Sequence, residues 1–98
     1  MLISLDFDET FTADREFWLE FIQLAKKYGH EVICCTSRFN NEGNREQLKA
    51  EIPVPVYFAN HNYKREMMER AGRKVDVWID DTPESIGERM KSPGAKIA

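Results

Sequence analysis

Asp6 and Asp8 stand two positions apart in "SLDFDETFT", and a second acidic pair, Asp80 and Asp81, ends the run "VDVWIDD". Gathered carboxylates repel one another, but a hard divalent cation with oxygen ligands makes their ionised forms favourable together. Magnesium suits Asp6, Asp8, Asp80 and Asp81, because it keeps several waters and takes one or two carboxylates plus a substrate phosphate. Side chains two apart in an extended segment lie on the same side, so Asp6 and Asp8 are expected to face one substrate. One carboxylate can attack phosphorus and form an aspartyl-phosphate; the other can protonate the leaving alcohol and then take a proton from the attacking water. Thr36, the backbone N–H groups beside it and Lys64 are candidate donors to the transferring phosphoryl oxygens. The competing reading is that the acids are merely solvated after a strand, where water screens them.

The choice depends on the elements that carry these residues. "LISLDF" is an apolar run that stops at acids, as a buried strand does. From Asp14 to Tyr28, Phe17, Trp18, Phe21, Ile22, Ala25 and Tyr28 recur at helical spacing, with Asp14 as cap and Gly29 as stop. "EVICCT" reads as a second strand, followed by the loop "SRFNNEGN". Asn44 with Gln47 resembles a capping box for a short helix to about Glu51, ended by Pro53. "VPVYFA" is a third strand whose prolines suit an edge. Asn62 is expected to cap a helix with Tyr63, Met67 and Ala71 on one face, closed by Gly72. "VDVWID" is a fourth strand, Thr82 and Pro83 start a helix carrying Ile86 and Met90, and "AKIA" adds a short fifth strand. Alternation with short connections predicts a mostly parallel sheet with helices on both faces, where polar residues gather at the carboxyl ends of strands. Asp6, Asp8, Thr36, Ser37, Arg38, Asp80 and Asp81 all fall at such ends, and Lys64 starts the third helix.

The chain has 98 residues, 42% of them hydrophobic, which suits one domain with one modest core. A net charge of -3 argues against holding nucleic acid by bulk electrostatics. Cys34 and Cys35 are adjacent in a strand, so they alternate across it and read as core residues of a reducing compartment. No apolar run approaches the roughly 20 residues of a membrane span, so a soluble cytoplasmic protein is expected.

In order across residues 2–81, these motifs resemble those of the haloacid dehalogenase superfamily of phosphohydrolases. "DFDET" looks like the first motif, which implies Asp6 as nucleophile and Asp8 as acid/base. "ICCTSR" is similar to the second, with Thr36 binding phosphate; Lys64 fits the third, and "VWIDD" resembles the fourth, whose acids hold Mg²⁺. The resemblance implies a Rossmann-like α/β/α sandwich with four or five strands in the order 3-2-1-4-5. The phosphoacceptor receiver domains use a similar residue set, but they end a middle strand in the acceptor aspartate, and the third strand here ends in "YFANHN".

Relatives of that superfamily often insert a cap domain after the first motif or between the second and third; here both connections are short, which implies a capless member. "TSR" at 36–38 looks like the Ser-Gly-Arg turn of the 3′-phosphatase domain of phage-type polynucleotide kinases, with Ser37 in place of the glycine. That favours a nucleotide or nucleic-acid end as the phosphorylated substrate, with Thr10, Ser37 and Arg38 on the substrate side. Thr10 is also expected to fix the turn, and Glu9 to be solvated. His61 reads as a loop residue, the cluster from Lys64 to Lys74 as a solvated helix face, Trp18 and Trp78 as core, and Phe11 and Phe39 as packing residues or base-stacking rings. The alternative function is a non-catalytic phosphate-binding or interaction module on the same fold.

Overall fold

The computed structural model describes residues 1–87. Four strands, β1 (Leu2–Leu5), β2 (Glu31–Thr36), β3 (Val56–Phe58) and β4 (Val77–Ile79), form one sheet in the order β3-β2-β1-β4. Every pairing is parallel, with Ser4 opposite Ile33 on one side and Trp78 on the other. Three helices alternate with the strands: α1 (Arg15–Lys27), α2 (Glu42–Glu51) and α3 (Lys64–Arg70). The expected fifth strand at "AKIA", and Met90 of the last expected helix, lie outside the described residues.

Strand alternation divides the core into two layers. Ile3, Leu5, Val32 and Cys34 pack with Ile22 and Ala25 of α1 and Leu48 of α2, whereas Leu2, Ile33 and Cys35 pack with Met68 of α3. The sheet therefore carries helices on both faces, a Rossmann-like α/β arrangement. Both cysteines are free and buried on opposite faces. Burial raises both thiols, Cys35 to about 11. Among the described residues, no helix is long and apolar enough to cross a membrane.

Helix ends follow local chemistry, with two corrections. Asp14 caps α1 by accepting from the Phe17 N–H at 3.2 Å. At the other end Gly29, at φ 80°, donates to Lys26 O while His30 N–H donates to Ala25 O, a Schellman ending that requires the left-handed conformation. For α2 the cap is Asn41, whose Oδ1 accepts from Asn44 N–H at 2.9 Å. Asn44 lies inside the helix instead, because its own amide donates to Phe39 O at 2.8 Å and its carbonyl accepts from Arg38. At α3 the capping position falls to Tyr63, without a side-chain bond; Asn62 lies one residue too early. The helix expected from Thr82 and Pro83 is, among the described residues, a 3₁₀ turn over Pro83–Ser85.

Replacing Asn41 with Ala is expected to cost ~1 kcal/mol, while Asn62→Ala changes stability by less than ~0.5 kcal/mol. Urea unfolding of the two variants checks the assignment; the reverse ranking would refute it.

Candidate functional site

β1 stops at Leu5, and the chain then turns sharply. Phe7 and Phe11 are fully buried with ring centroids 5.7 Å apart, pinning the turn from below. Phe11 N–H donates to Asp6 O and Thr12 N–H to Phe7 O, each at 3.1 Å, and Glu9 takes a left-handed φ of 61°. The extended geometry that would aim Asp6 and Asp8 the same way ends before either residue. The Asp6 side chain is 8% exposed, while that of Asp8 is 51% exposed.

Asp6 enters a buried polar cluster. Lys64, at the first position of α3 and only 1% exposed, places Nζ 2.9 Å from Asp6 Oδ1 and 2.5 Å from Asp80 Oδ2. A lysine in the first helical turn opposes the helix dipole, so the two carboxylates must hold it there. Burial works against its charge, but the hydrogen bonds to Asp80 and Asp6 outweigh that and raise its pKa. Thr82 N–H donates to Asp80 Oδ1 at 2.9 Å, and Ser85 Oγ approaches Asp80 Oδ2 at 3.3 Å. The Thr10 hydroxyl lies 3.3 Å from Asp6 Oδ2 and 3.1 Å from Asp81 Oδ1, and accepts from Asp81 N–H at 3.2 Å. Having one proton, it can donate to only one of the two acids at a time. Thr10 thus fixes the turn as expected, and Glu9 is exposed.

Burial pushes the Asp6 carboxyl up to about 6, against the pull of Lys64 and with Asp81 and Asp80 adding to the rise. Asp81 moves down, chiefly because Asp6 hydrogen-bonds to it. Oxygens of Asp6, Asp80 and Asp81 lie within 4.8 Å of one another. Three ionised carboxylates against one ammonium leave two excess negative charges, so the donor set fits a hard divalent cation in both charge and chemistry. Asp80 spends both oxygens on Lys64, Ser85 and Thr82. Asp81 is the most exposed of the three, its Oδ1 facing the Thr10 hydroxyl at 3.1 Å and its Oδ2 the Thr82 hydroxyl at 3.4 Å.

Asp8 does not join this group. Arg38 binds it through Nε at 2.9 Å and Nη2 at 2.8 Å, and the remaining Nη1 donates to Asn44 and Gln47 at 3.1 and 2.8 Å. The guanidinium also lies 5.2 Å from the Phe7 ring centroid. The pair to Asp8 raises the Arg38 pKa. Thr36 is buried, and its Oγ1 accepts from Arg38 N–H at 3.2 Å. Among the described residues, those other than glycine with positive φ are Glu9, Asn60 and His61, so Ser37 occupies its turn without needing glycine's freedom. Lys64 meets the acids, whereas Arg65 donates to Gly87 O and lies over Trp78. Sequence reasoning missed Ser85, whose only signal is a hydroxyl one short turn past the acidic pair, and the grip of Asn44 and Gln47 on Arg38.

Lys64→Met leaves Asp6 and Asp80 buried without their cation, and the expected loss is ~3–5 kcal/mol in urea unfolding; a loss near zero would contradict the pairing. In chelator, folded Asp6 holds its proton from its ordinary 3.8 up to about 6, so its contribution to stability is lost as pH rises through that interval. Wild type should therefore lose stability relative to Asp6→Asn between about pH 4 and about pH 7, and a pH-independent difference would show that Asp6 is not perturbed.

No family model, curated protein or solved structure matches this chain.

Proposed function

We propose that the chain is a capless, haloacid dehalogenase-like phosphohydrolase that uses Mg²⁺ to cleave a phosphomonoester through an aspartyl-phosphate. The observation that carries this reading is the Lys64 ammonium bonded to Asp6 and Asp80, with Thr10 joining Asp6 to Asp81 at the ends of adjacent parallel strands. A merely solvated acidic loop would not bury a lysine among its carboxylates.

Asp6, Asp81 and Asp80 would hold the ion, with Asp81 the most exposed of them, and bound Mg²⁺ would offset the charge of phosphate and carboxylates. An Asp6 Oδ attacks phosphorus, the ester P–O bond breaks, and the leaving alcohol takes a proton from the Asp8 carboxyl. Water then attacks the same phosphorus, gives its proton to Asp8, and the bond from Asp6 to phosphorus breaks to release inorganic phosphate. Lys64, Thr36 and neighbouring backbone N–H groups supply donors to the phosphoryl oxygens. Only the 3₁₀ turn Phe11–Ala13 and Asp14 lie between the first turn and α1, and only residues 59–63 between β3 and α3, which suits an open site and a cytoplasmic nucleotide or nucleic-acid end.

One observation favours the alternative of a phosphate-binding module: Asp8 is outside the carboxylate cluster and engaged by Arg38. The two readings separate on turnover. Phosphate release from p-nitrophenyl phosphate, mononucleotides and 3′- or 5′-phosphorylated oligonucleotides should require Mg²⁺ and fall ~10³-fold or more in Asp6→Asn. Asp8→Asn should accumulate a phosphoryl-enzyme, seen as a mass gain of one phosphoryl group. Full turnover by Asp6→Asn would overturn the covalent mechanism, and Mg²⁺-dependent binding of a phosphate analogue without turnover would favour the module.

A further inference from the structure

Thr36 and Lys64 are separated by two loops that the backbone joins edge to edge. Ala59 N–H donates to Thr36 O at 2.8 Å, Asn60 N–H to Arg38 O at 3.2 Å and His61 N–H to Ser37 O at 2.8 Å. Asn60 Oδ1 returns a bond by accepting from Asn40 N–H at 2.7 Å. Both Asn60 and His61 take left-handed φ, 52° and 62°, a conformation that costs free energy in a residue with a side chain and that these bonds hold in place.

The result is a pair of rings on the surface. Phe39 and His61 have centroids 4.7 Å apart at an interplanar angle of 53°. Phe39 remains 55% exposed, whereas Phe7 and Phe11, the phenylalanines that pack the neighbouring turn, are fully buried. Phe39 is therefore not placed for the core. Its backbone is fixed from the other side as well, since Phe39 O accepts from Asn41 N–H and the Asn44 amide. The preceding residue, Arg38, reaches Asp8, and the loop carrying His61 runs on to Lys64, so the two loops that bear the rings are continuous with residues that contact the first turn and the carboxylate cluster. Asn40, Asn60 and Asn62 occupy the same two loops; the Asn40 oxygen accepts from Arg45 and the Asn60 oxygen from Asn40 N–H, which leaves their NH₂ groups as donors.

We infer that the Phe39–His61 pair is a stacking platform for the nucleobase of a phosphorylated nucleotide unit whose phosphate lies at Asp6. The inference rests on the phosphohydrolase site proposed above and names its substrate class. A flat π-face suits any base, and amides beside it suit base edges, whereas a chain of net charge -3 has little bulk attraction for a polyanion. Recognition then depends on one base and one phosphate.

The test compares binding to Asp6→Asn protein in Mg²⁺, and turnover by wild type, for a base-bearing and a base-free ligand: a nucleoside 5′-monophosphate against ribose 5-phosphate, and a 3′-phosphorylated oligonucleotide against one with an abasic terminal unit. Phe39→Ala and His61→Gly, the latter matched to the left-handed backbone, should each lower the base-bearing to base-free ratio by about 5- to 150-fold, and Phe39→Trp should preserve it. The pair of ligands giving the larger ratio identifies a free mononucleotide or a strand end as the source. Equal handling of base-bearing and base-free ligands by the parent protein, or a ratio unmoved in the variants, overturns the platform even if phosphate is released. A base-dependent ratio in binding without turnover in wild type upholds the platform and overturns the phosphatase reading. Failure to bind any of these ligands overturns both.

Discussion

The buried ammonium of Lys64 is the interaction on which the carboxyl edge of the sheet depends. It ties β1, α3 and the segment after β4 through Asp6 and Asp80. Taking a lysine and two carboxylates out of water is costly, and their mutual attraction does little more than offset that cost. The arrangement is better understood as fixing position than as adding stability. With the ammonium in place, Asp6 can remain buried at a strand end and Asp81 can share Thr10 with it; without it, repulsion would drive the acids apart or force them to take up protons.

The sheet supplies the other constraint. Because β1 is central, with β2 on one side and β4 on the other, Asp6 lies between the strand ends that bear Thr36 and Asp80. That these residues fall at strand ends was legible in the sequence, while the strand order was only what the family resemblance implied. Alternation of apolar strands and amphipathic helices indicated the parallel sheet, and adjacent cysteines indicated a strand buried on both faces. At the start of α3 it is Lys64 whose side chain meets the acids, while Arg65 turns to Gly87 O and the Trp78 ring. The acidic pair at 80–81 could be located but not divided into roles, since the division depends on Ser85 and the Thr82 N–H, which arrive with the turn that follows.

What the sequence concealed has a common cause: period-two reasoning assumes that the strand continues. Asp6 and Asp8 share a side only in extended backbone, and here Phe7 and Phe11 draw the chain into a turn closed by a left-handed Glu9. The burial of two rings, decided by the whole core, sends Asp8 outward. The misplaced caps have a similar origin. Several asparagines were available before α2, and the register went to Asn41 because Asn44 was recruited by Arg38 and Phe39. No intrinsic propensity distinguishes these asparagines; the partners five and six residues upstream, Phe39 and Arg38, do.

Arg38 connects the two halves of this edge. Its guanidinium is shared among Asp8, Asn44 and Gln47, and its backbone joins the loops that carry Phe39 and His61. A carboxylate and a phosphate are alternative occupants of such a fork, since both offer paired oxygens. While Asp8 holds the fork, both its oxygens are spent on Arg38 and its carboxyl is turned away from the carboxylate cluster at Asp6. Any step in which Asp8 reaches a substrate at Asp6 must therefore disengage it from Arg38, and a phosphate arriving at the fork would compete with Asp8 for the same donors. The position of Asp8 outside the carboxylate cluster and the breadth of Arg38's contacts are consequently one feature, because the residue that draws the second aspartate away is also the one best shaped to receive what would replace it.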